Sequence, residues 1–269
     1  MLESVVNLSE GRDGKLLSEL AKASPGLLDV HADPWHNRSV LTLVANDVVE
    51  AALAVAKTAV ALLDLRAHEG VHPRLGVIDV VPFVPLGRAG YGGPIDLGEA
   101  VAARDRFATL AADELGLPCF LYGPERSLPE VRRRAFVDLG PDSGPAAPHP
   151  TAGACCVGAR PCLVAYNLYL ASQDLAAARR IARELRCDEV RALGVAVGDE
   201  VQVSCNLIAP WLTGPAQIYD EVQSRAEISR AELVGLVPEA LLATTPPSRW
   251  AQLDLGPDRT VEARLARLN

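Results

Sequence analysis

The chain has 269 residues, with 26 Lys+Arg against 34 Asp+Glu for a formal charge of −8, and is 49% hydrophobic and 22% charged. That composition disfavours disorder, collagen and coiled coil, and the acidic balance argues against general nucleic-acid or anionic-membrane binding, which needs an excess of basic charge. The longest apolar stretches are interrupted, as Val48 to Leu65 is by Glu50 and Lys57, so none is expected to span a bilayer. No secretory pattern opens the chain, and the six cysteines (Cys119, Cys155, Cys156, Cys162, Cys187, Cys205) show no paired ligand spacing. They read as reduced thiols of a cytoplasmic protein, without a metal site.

In chain order, Leu2 to Leu8 reads as a strand closed by Glu10 to Gly14, and Leu16 to Ala23 as a helix stopped at Ser24-Pro25-Gly26. Leu27 to His31 and Ser39 to Val44 follow as strands. Asp47 with Glu50 then forms a capping-box-like start to a long helix reaching Leu65. Gly76 to Val84 is a buried-looking strand; Asp96 with Glu99 starts a helix to Gly116, and Pro118 to Tyr122 is one more strand. The order is βαββαβ with an αβ unit appended. It returns as strand Cys162 to Leu170, a helix from Ser172 to Arg186, strands Glu189 to Val197 and Val201 to Ile208, helix Pro215 to Ala226 and strand Glu232 to Val237, after which Pro238 to Ala243 restarts a helix. Two open α/β units of one topology, each a sheet with helices on one face, are expected over residues 1–150 and 151–269.

Between them Leu139 to Gly158 is rich in Gly, Pro, Ala and Ser. In its run Gly140 to Pro150 the missing and flexible amides exclude helix and central strand. The segment is a domain linker or a binding loop at the junction. Residues His68-Glu69-Gly70-Val71-His72 spell HExxH, a zinc-protease pattern whose chemistry requires a helix. Gly70 inside it and Pro73 directly after it argue against that helix, since a residue before proline is pushed toward extended geometry. What remains is a histidine-bearing loop entering a strand. Such a histidine is either a general base near neutral pH or a group that merely hydrogen-bonds the backbone.

Several stretches together resemble the glutamate formimidoyltransferase family. They begin with Asn7-Leu8-Ser9-Glu10-Gly11, Leu27-Leu28-Asp29-Val30 and Asn37-Arg38-Ser39. The longest is Arg66 to Gly76 with Asp79-Val80-Val81-Pro82-Phe83-Val84-Pro85, similar to that family's R-x-H-x-G-x-H-P-R-x-G…D-V-x-P-F-x-P block. Leu121-Tyr122-Gly123, Gly158-Ala159-Arg160, Ala165-Tyr166-Asn167, Gln202-Val203-Ser204, Asn206-Leu207 and Glu232 to Pro238 continue it in order.

The resemblance implies an α/β (α+β) fold of two ferredoxin-like βαββαβ subdomains, their sheets facing across a folate-binding cleft and helices outside. It implies transfer of a formimino group between N-formimino-L-glutamate and N5 of tetrahydrofolate, in histidine degradation, with tetrahydrofolate as co-substrate and no metal. His72 takes the place of the general base or acid. The folate segment falls on Gly144, Pro145, Ala146, Ala147, Pro148, His149, Pro150, Thr151, Ala152 and Gly153. Arg38, Arg74, Asn7, Asp29 and Arg160 stand in matching segments as candidates for holding the carboxylate substrates. Asp29 and Asp33 are the acids available to orient the imidazole. A homodimer is implied, and a cyclodeaminase, fused in animal proteins, would be a separate partner. Arg132-Arg133-Arg134 reads as a solvated helix face in preference to a contact for a polyglutamate tail, and Cys155-Cys156 as small buried hydrophobes. Two other readings stand beside transfer: a catalytically silent folate-binding homologue, and a transferase of another one-carbon group such as formyl.

Overall fold

The computed structural model describes residues 1–87 and 96–268 and divides into two compact units, Met1–Pro161 and Cys162–Asn269. In the first, β1 (Leu2–Leu8), α1 (Gly14–Lys22), β2 (Leu27–Asp33), β3 (Arg38–Val44), α2 (Val48–Leu62) and β4 (Ile78–Pro85) make the expected βαββαβ. They are followed by α3 (Gly98–Leu115), β5 (Cys119–Tyr122), α4 (Leu128–Arg134) and β6 (Cys155–Ala159). The six strands lie in the order β2-β3-β1-β4-β6-β5, antiparallel up to β4 and parallel beyond it.

Local chemistry sets the boundaries. Asp13 and Asp47 each accept two amides of the turn they open, which satisfies donors a helix start would leave orphaned. Asp96 does not cap α3: it accepts the Gly98 amide at 2.8 Å from one residue before the N-cap, Leu97. One face of the sheet is covered by α1, α2 and α3, with Leu8, Leu20, Leu53, Val81, Phe83 and Phe107 fully buried between them. On the other face Val131 of α4 packs with Val80, Phe120, Tyr122 and Cys156.

Strand β6 was not legible beforehand, because its run Cys155-Cys156-Val157 is short and lies inside the Gly/Pro-rich segment. It inserts between β4 and β5, and Gly158 is required there because a Cβ would collide with the Tyr122 ring. The first sheet thus takes in residues that sequence patterning gave to the second half.

The second unit repeats the topology with β7 (Val164–Leu170), α5 (Leu175–Leu185), β8 (Val190–Val197), β9 (Glu200–Leu207), α6 (Pro215–Gln223) and β10 (Ile228–Val234), followed by the short helices α7 (Glu239–Leu242) and α8 (Val261–Leu265). Its sheet order is β10-β7-β9-β8, antiparallel throughout. Asp174, not Ser172, caps α5. Tyr166, Leu168, Val203, Leu207, Ile181 and Val222 form its core. No helix among the described residues is long and apolar enough to cross a membrane, and all six cysteines are free thiols, five of them buried.

Candidate active site

The site is built where one strand bulges. Asn7 pairs with Val80 and Leu8 with Ile78, so Asp79 is an extra residue in β4. The bulge lets Asp79 and Val80 both leave the helix-covered face, on which Ile78 and Val81 remain. Asp79 is completely buried, and a buried carboxylate is tolerated only when paired and hydrogen-bonded. Its Oδ2 accepts from Arg38 Nη1 at 2.7 Å and Arg132 Nη2 at 2.6 Å, and its Oδ1 accepts the Leu75 amide at 2.8 Å. Burial by itself would raise this carboxyl; the two guanidiniums outweigh it and hold the group at about 2.

Arg38, at the start of β3, also gives Nε and Nη2 to Asn7 Oδ1 at 3.2 and 2.9 Å. Its neighbour Asn37 has φ +46°, a left-handed conformation that asparagine tolerates. The Asn37 side chain accepts the Gly11 amide at 2.9 Å and donates to the Glu69 carbonyl at 2.8 Å. Ser9 Oγ donates to the Gly76 carbonyl at 2.8 Å. The three stretches Asn7–Gly11, Asn37–Ser39 and Arg66–Gly76 therefore interlock. Arg74 closes the arrangement by donating to the carbonyls of His72 (Nη2, 2.7 Å) and His36 (Nη2, 3.2 Å). Its guanidinium thus ties one loop to another.

His72 is half-buried. Its Nδ1 lies 2.7 Å from the Pro73 carbonyl oxygen. A carbonyl only accepts, so Nδ1 carries the proton, and Nε2 holds the lone pair of the neutral ring. Burial, then Arg38, lowers this imidazole to about 3. The His36 ring stands edge-on at 6.0 Å between centroids. No carboxylate bonds to the His72 ring among the described residues; the Pro73 carbonyl orients it in place of Asp29 or Asp33. His68, lowered to about 4 chiefly by burial and then by Arg74, lies in the same loop. After a single 3-10 turn at Leu65–Ala67 the backbone is extended at His68 and forms no helix to His72, so the two imidazoles do not share a helix face. No group of three or more His, Cys, Asp or Glu placed to hold a metal is found among the described residues.

The Gly144–Gly153 segment is not a free linker. His149 and Gly153 exchange backbone hydrogen bonds at 2.8 and 3.0 Å, and His149 Nδ1 accepts the Ala152 amide at 3.0 Å. The Ala152 carbonyl takes the Val77 amide, and the Thr151 carbonyl takes the Leu65 amide. Its base is thereby stitched to both ends of the His72 loop, while Gly144 to Pro148 stay exposed.

Asn7, Arg38, Arg74 and His72 are brought together; Asp29 and Arg160 are not. Asp29 sits four residues up β2 from Asp33, the partner of Arg38 in the sheet, or ~13 Å along the strand. The Arg160 backbone follows β6 at its far end, five residues beyond Cys155, the level of Asp79, or ~16 Å along the strand, and its side chain donates to the Pro161 carbonyl at 2.9 Å and hydrogen-bonds Tyr122. Sequence reasoning missed Asp79 and Arg132. Asp79 had a signal, a lone charge in the apolar run Ile78 to Val84. Arg132 had none; it is not solvated but 17% exposed and bound to Asp79.

The "Formiminotransferase domain, N-terminal subdomain" model matches residues 1–160. The chain belongs to the formiminotransferase family. A formiminotransferase relative of about the same length, the glutamate formimidoyltransferase of Streptococcus pyogenes serotype M1, is 34% identical over 90% of each chain. The glutamate formimidoyltransferase of Thermoplasma acidophilum is 34% identical over 90% of this chain and 89% of its own. The formimidoyltransferase-cyclodeaminase of Sus scrofa is 35% identical over 90% of this chain, and the match spans about half (51%) of the pig protein.

Proposed function

We propose that this formiminotransferase moves a formimino group between N-formimino-L-glutamate and N5 of tetrahydrofolate, with His72 as the proton acceptor and donor. The observation that carries the reading is the fixed tautomer: with Nδ1–H committed to the Pro73 carbonyl, the Nε2 lone pair is the one available for a proton. In the forward direction the N5 amine bonds to the formimino carbon and its proton passes to Nε2. The bond from that carbon to the glutamate nitrogen then breaks, and Nε2 returns the proton to the departing amine. One group serves both steps, and no covalent nucleophile is required.

The residues suit these substrates. Both are carboxylates, and Arg38 and Arg132 at the buried end of the site present two cations against the one carboxylate of Asp79. A bound carboxylate would offset the positive field of those arginines and bring the His72 pKa back toward the neutral range where proton transfer in both directions is efficient. The Gly144–Gly153 loop, tethered beside the His72 loop and exposed at its tip, supports a role in holding the folate.

The test is mass-spectrometric detection of 5-formimino-tetrahydrofolate from purified protein, N-formimino-glutamate and tetrahydrofolate, with His72→Ala alongside. Product from the wild type and its loss in the variant are expected. Folate binding without product would favour the silent homologue. Product only from a formyl donor would assign the other one-carbon group.

A further inference from the structure

The Pro73 carbonyl that orients His72 accepts a second donor. Arg132 Nη1 lies 2.8 Å from the same oxygen, while its Nη2 lies 2.6 Å from Asp79 Oδ2. Both lone pairs of the Pro73 oxygen are therefore engaged, one by imidazole and one by guanidinium. The peptide around it is pinned on each side: the His72 carbonyl by Arg74, and the Leu75 amide by Asp79. Pro73 itself has a fixed φ. Arg132 reaches this oxygen from α4, whose Val131 is fully buried against the face carrying Val80 and Phe120. A planar fork with two donors set apart can bridge a carboxylate and a carbonyl in a way that a single ammonium cannot.

We propose that Arg132 is a positioning residue for His72, acting through the carbonyl of Pro73 and held in place by Asp79. It sets the direction of the carbonyl, which sets the tautomer and the aim of the imidazole. Arg132 also competes for the oxygen and adds positive charge, and both effects disfavour the imidazolium. The other charged or titratable groups bearing on His72 are Arg38 from β3, Asp79 from β4, Arg74 from its own loop, and His36 from the 34–37 turn with Asp33 at the end of β2. This inference rests on the reading of His72 as the base, but part of its test does not require turnover.

Two variants of the full chain decide it, Arg132→Gln and Arg132→Lys, each followed by nitrogen NMR of His72 and by kcat and KM for formimino transfer. In Arg132→Gln the His72 pKa is expected to rise by about one unit, and the acid limb of kcat/KM to move with it, with kcat down about tenfold. Arg132→Lys keeps the charge and the pair with Asp79 but cannot also hold Pro73. There kcat falls by a similar factor, the pKa moves much less, and the Nε2-protonated tautomer gains population. Loss of activity in both variants with His72 titration and tautomer unchanged would overturn the proposal, as would wild-type kcat in Arg132→Lys. If Arg132→Gln fails to fold, the tautomer and kcat of Arg132→Lys decide alone. A wild type without turnover would sink the proposed reaction, and the His72 tautomer and titration in the variants would still decide this point.

Discussion

The four strands of the second unit repeat the order of β1 to β4 in the first, and the two sets differ in what joins the strands. In the second, β8 and β9 are joined by the tight turn Gly198–Asp199, and α6 runs to β10 through four residues, 224–227. In the first, β2 and β3 are joined by 34–37, and α2 runs to β4 through fifteen residues, 63–77. Those two longer connections carry His36, Asn37, His68, His72 and Arg74. The faces differ to match. Glu232 on β10 is half-buried and accepts from Asn167 Nδ2 at 2.9 Å and the Tyr169 hydroxyl at 3.2 Å, while the Arg230 guanidinium, 44% exposed, lies over the Tyr169 ring. Asp79 is buried outright between two arginines. A common topology therefore assigns no chemistry; the loops grafted on one copy of it do.

The comparison breaks most sharply at His72. His72→Ala is expected to lower formimino transfer about 10²–10⁴-fold with little change in melting temperature, whereas no single substitution on the second sheet's polar face should act through the proton transfer. A melting temperature that falls together with activity would mean a structural role. Asp79→Asn should cost roughly 3–5 kcal/mol in denaturant unfolding, because it leaves two guanidiniums facing each other in a buried site. Glu232→Gln, which keeps an acceptor in a half-exposed cluster, should cost about 1 kcal/mol or less. Equal costs would show that the two faces are electrostatically alike.

Acid should separate the units as well. All five histidines lie in the first unit. His72 is held at about 3 and His68 at about 4, against about 6.5 in an unfolded chain. Below pH ~6.5 the unfolded chain then binds more protons than the folded one, so stability falls as pH drops toward those folded values. Asp79, at about 2, extends the loss below pH ~4. Amide exchange between pH 7 and 5 should show protection fading first in residues 1–161, and the slope should shrink in His72→Ala. A smaller effect is expected of Gly153→Ala. Gly153 has φ +74°, and a Cβ there would collide with the Leu75 carbonyl. Strain of about 1–3 kcal/mol should loosen the 144–153 segment and, on the proposed reading of that segment, raise KM for tetrahydrofolate severalfold with kcat less affected.

Periodicity was enough to read both βαββαβ units, because the apolar positions of β1, β3, β4 and β7 are local signals, as is the cap Asp47, whereas the caps read at Asp96 and Ser172 lie one and two residues before the true N-caps. The segments carrying His72, Arg38 and Asn7 were equally legible as stretches, since each depends on a run of adjacent residues. Strand β6 was hidden by its glycine- and proline-rich surroundings. Arg132 looked solvated because a helix of seven residues with three arginines at its end gives no hint of which one turns inward.

By itself the sequence determined the two βαββαβ runs, the histidine loop and the family resemblance, all of which rest on runs of adjacent residues. Only the tertiary structure decided that the 144–153 segment is stitched to that loop, that a bulge turns Asp79 to the site, and that Arg132 meets Pro73 from 59 residues away. The reason is physical: a buried charge selects its partners by proximity in space, and nothing in the spacing of residues along the chain records which guanidinium will be within reach.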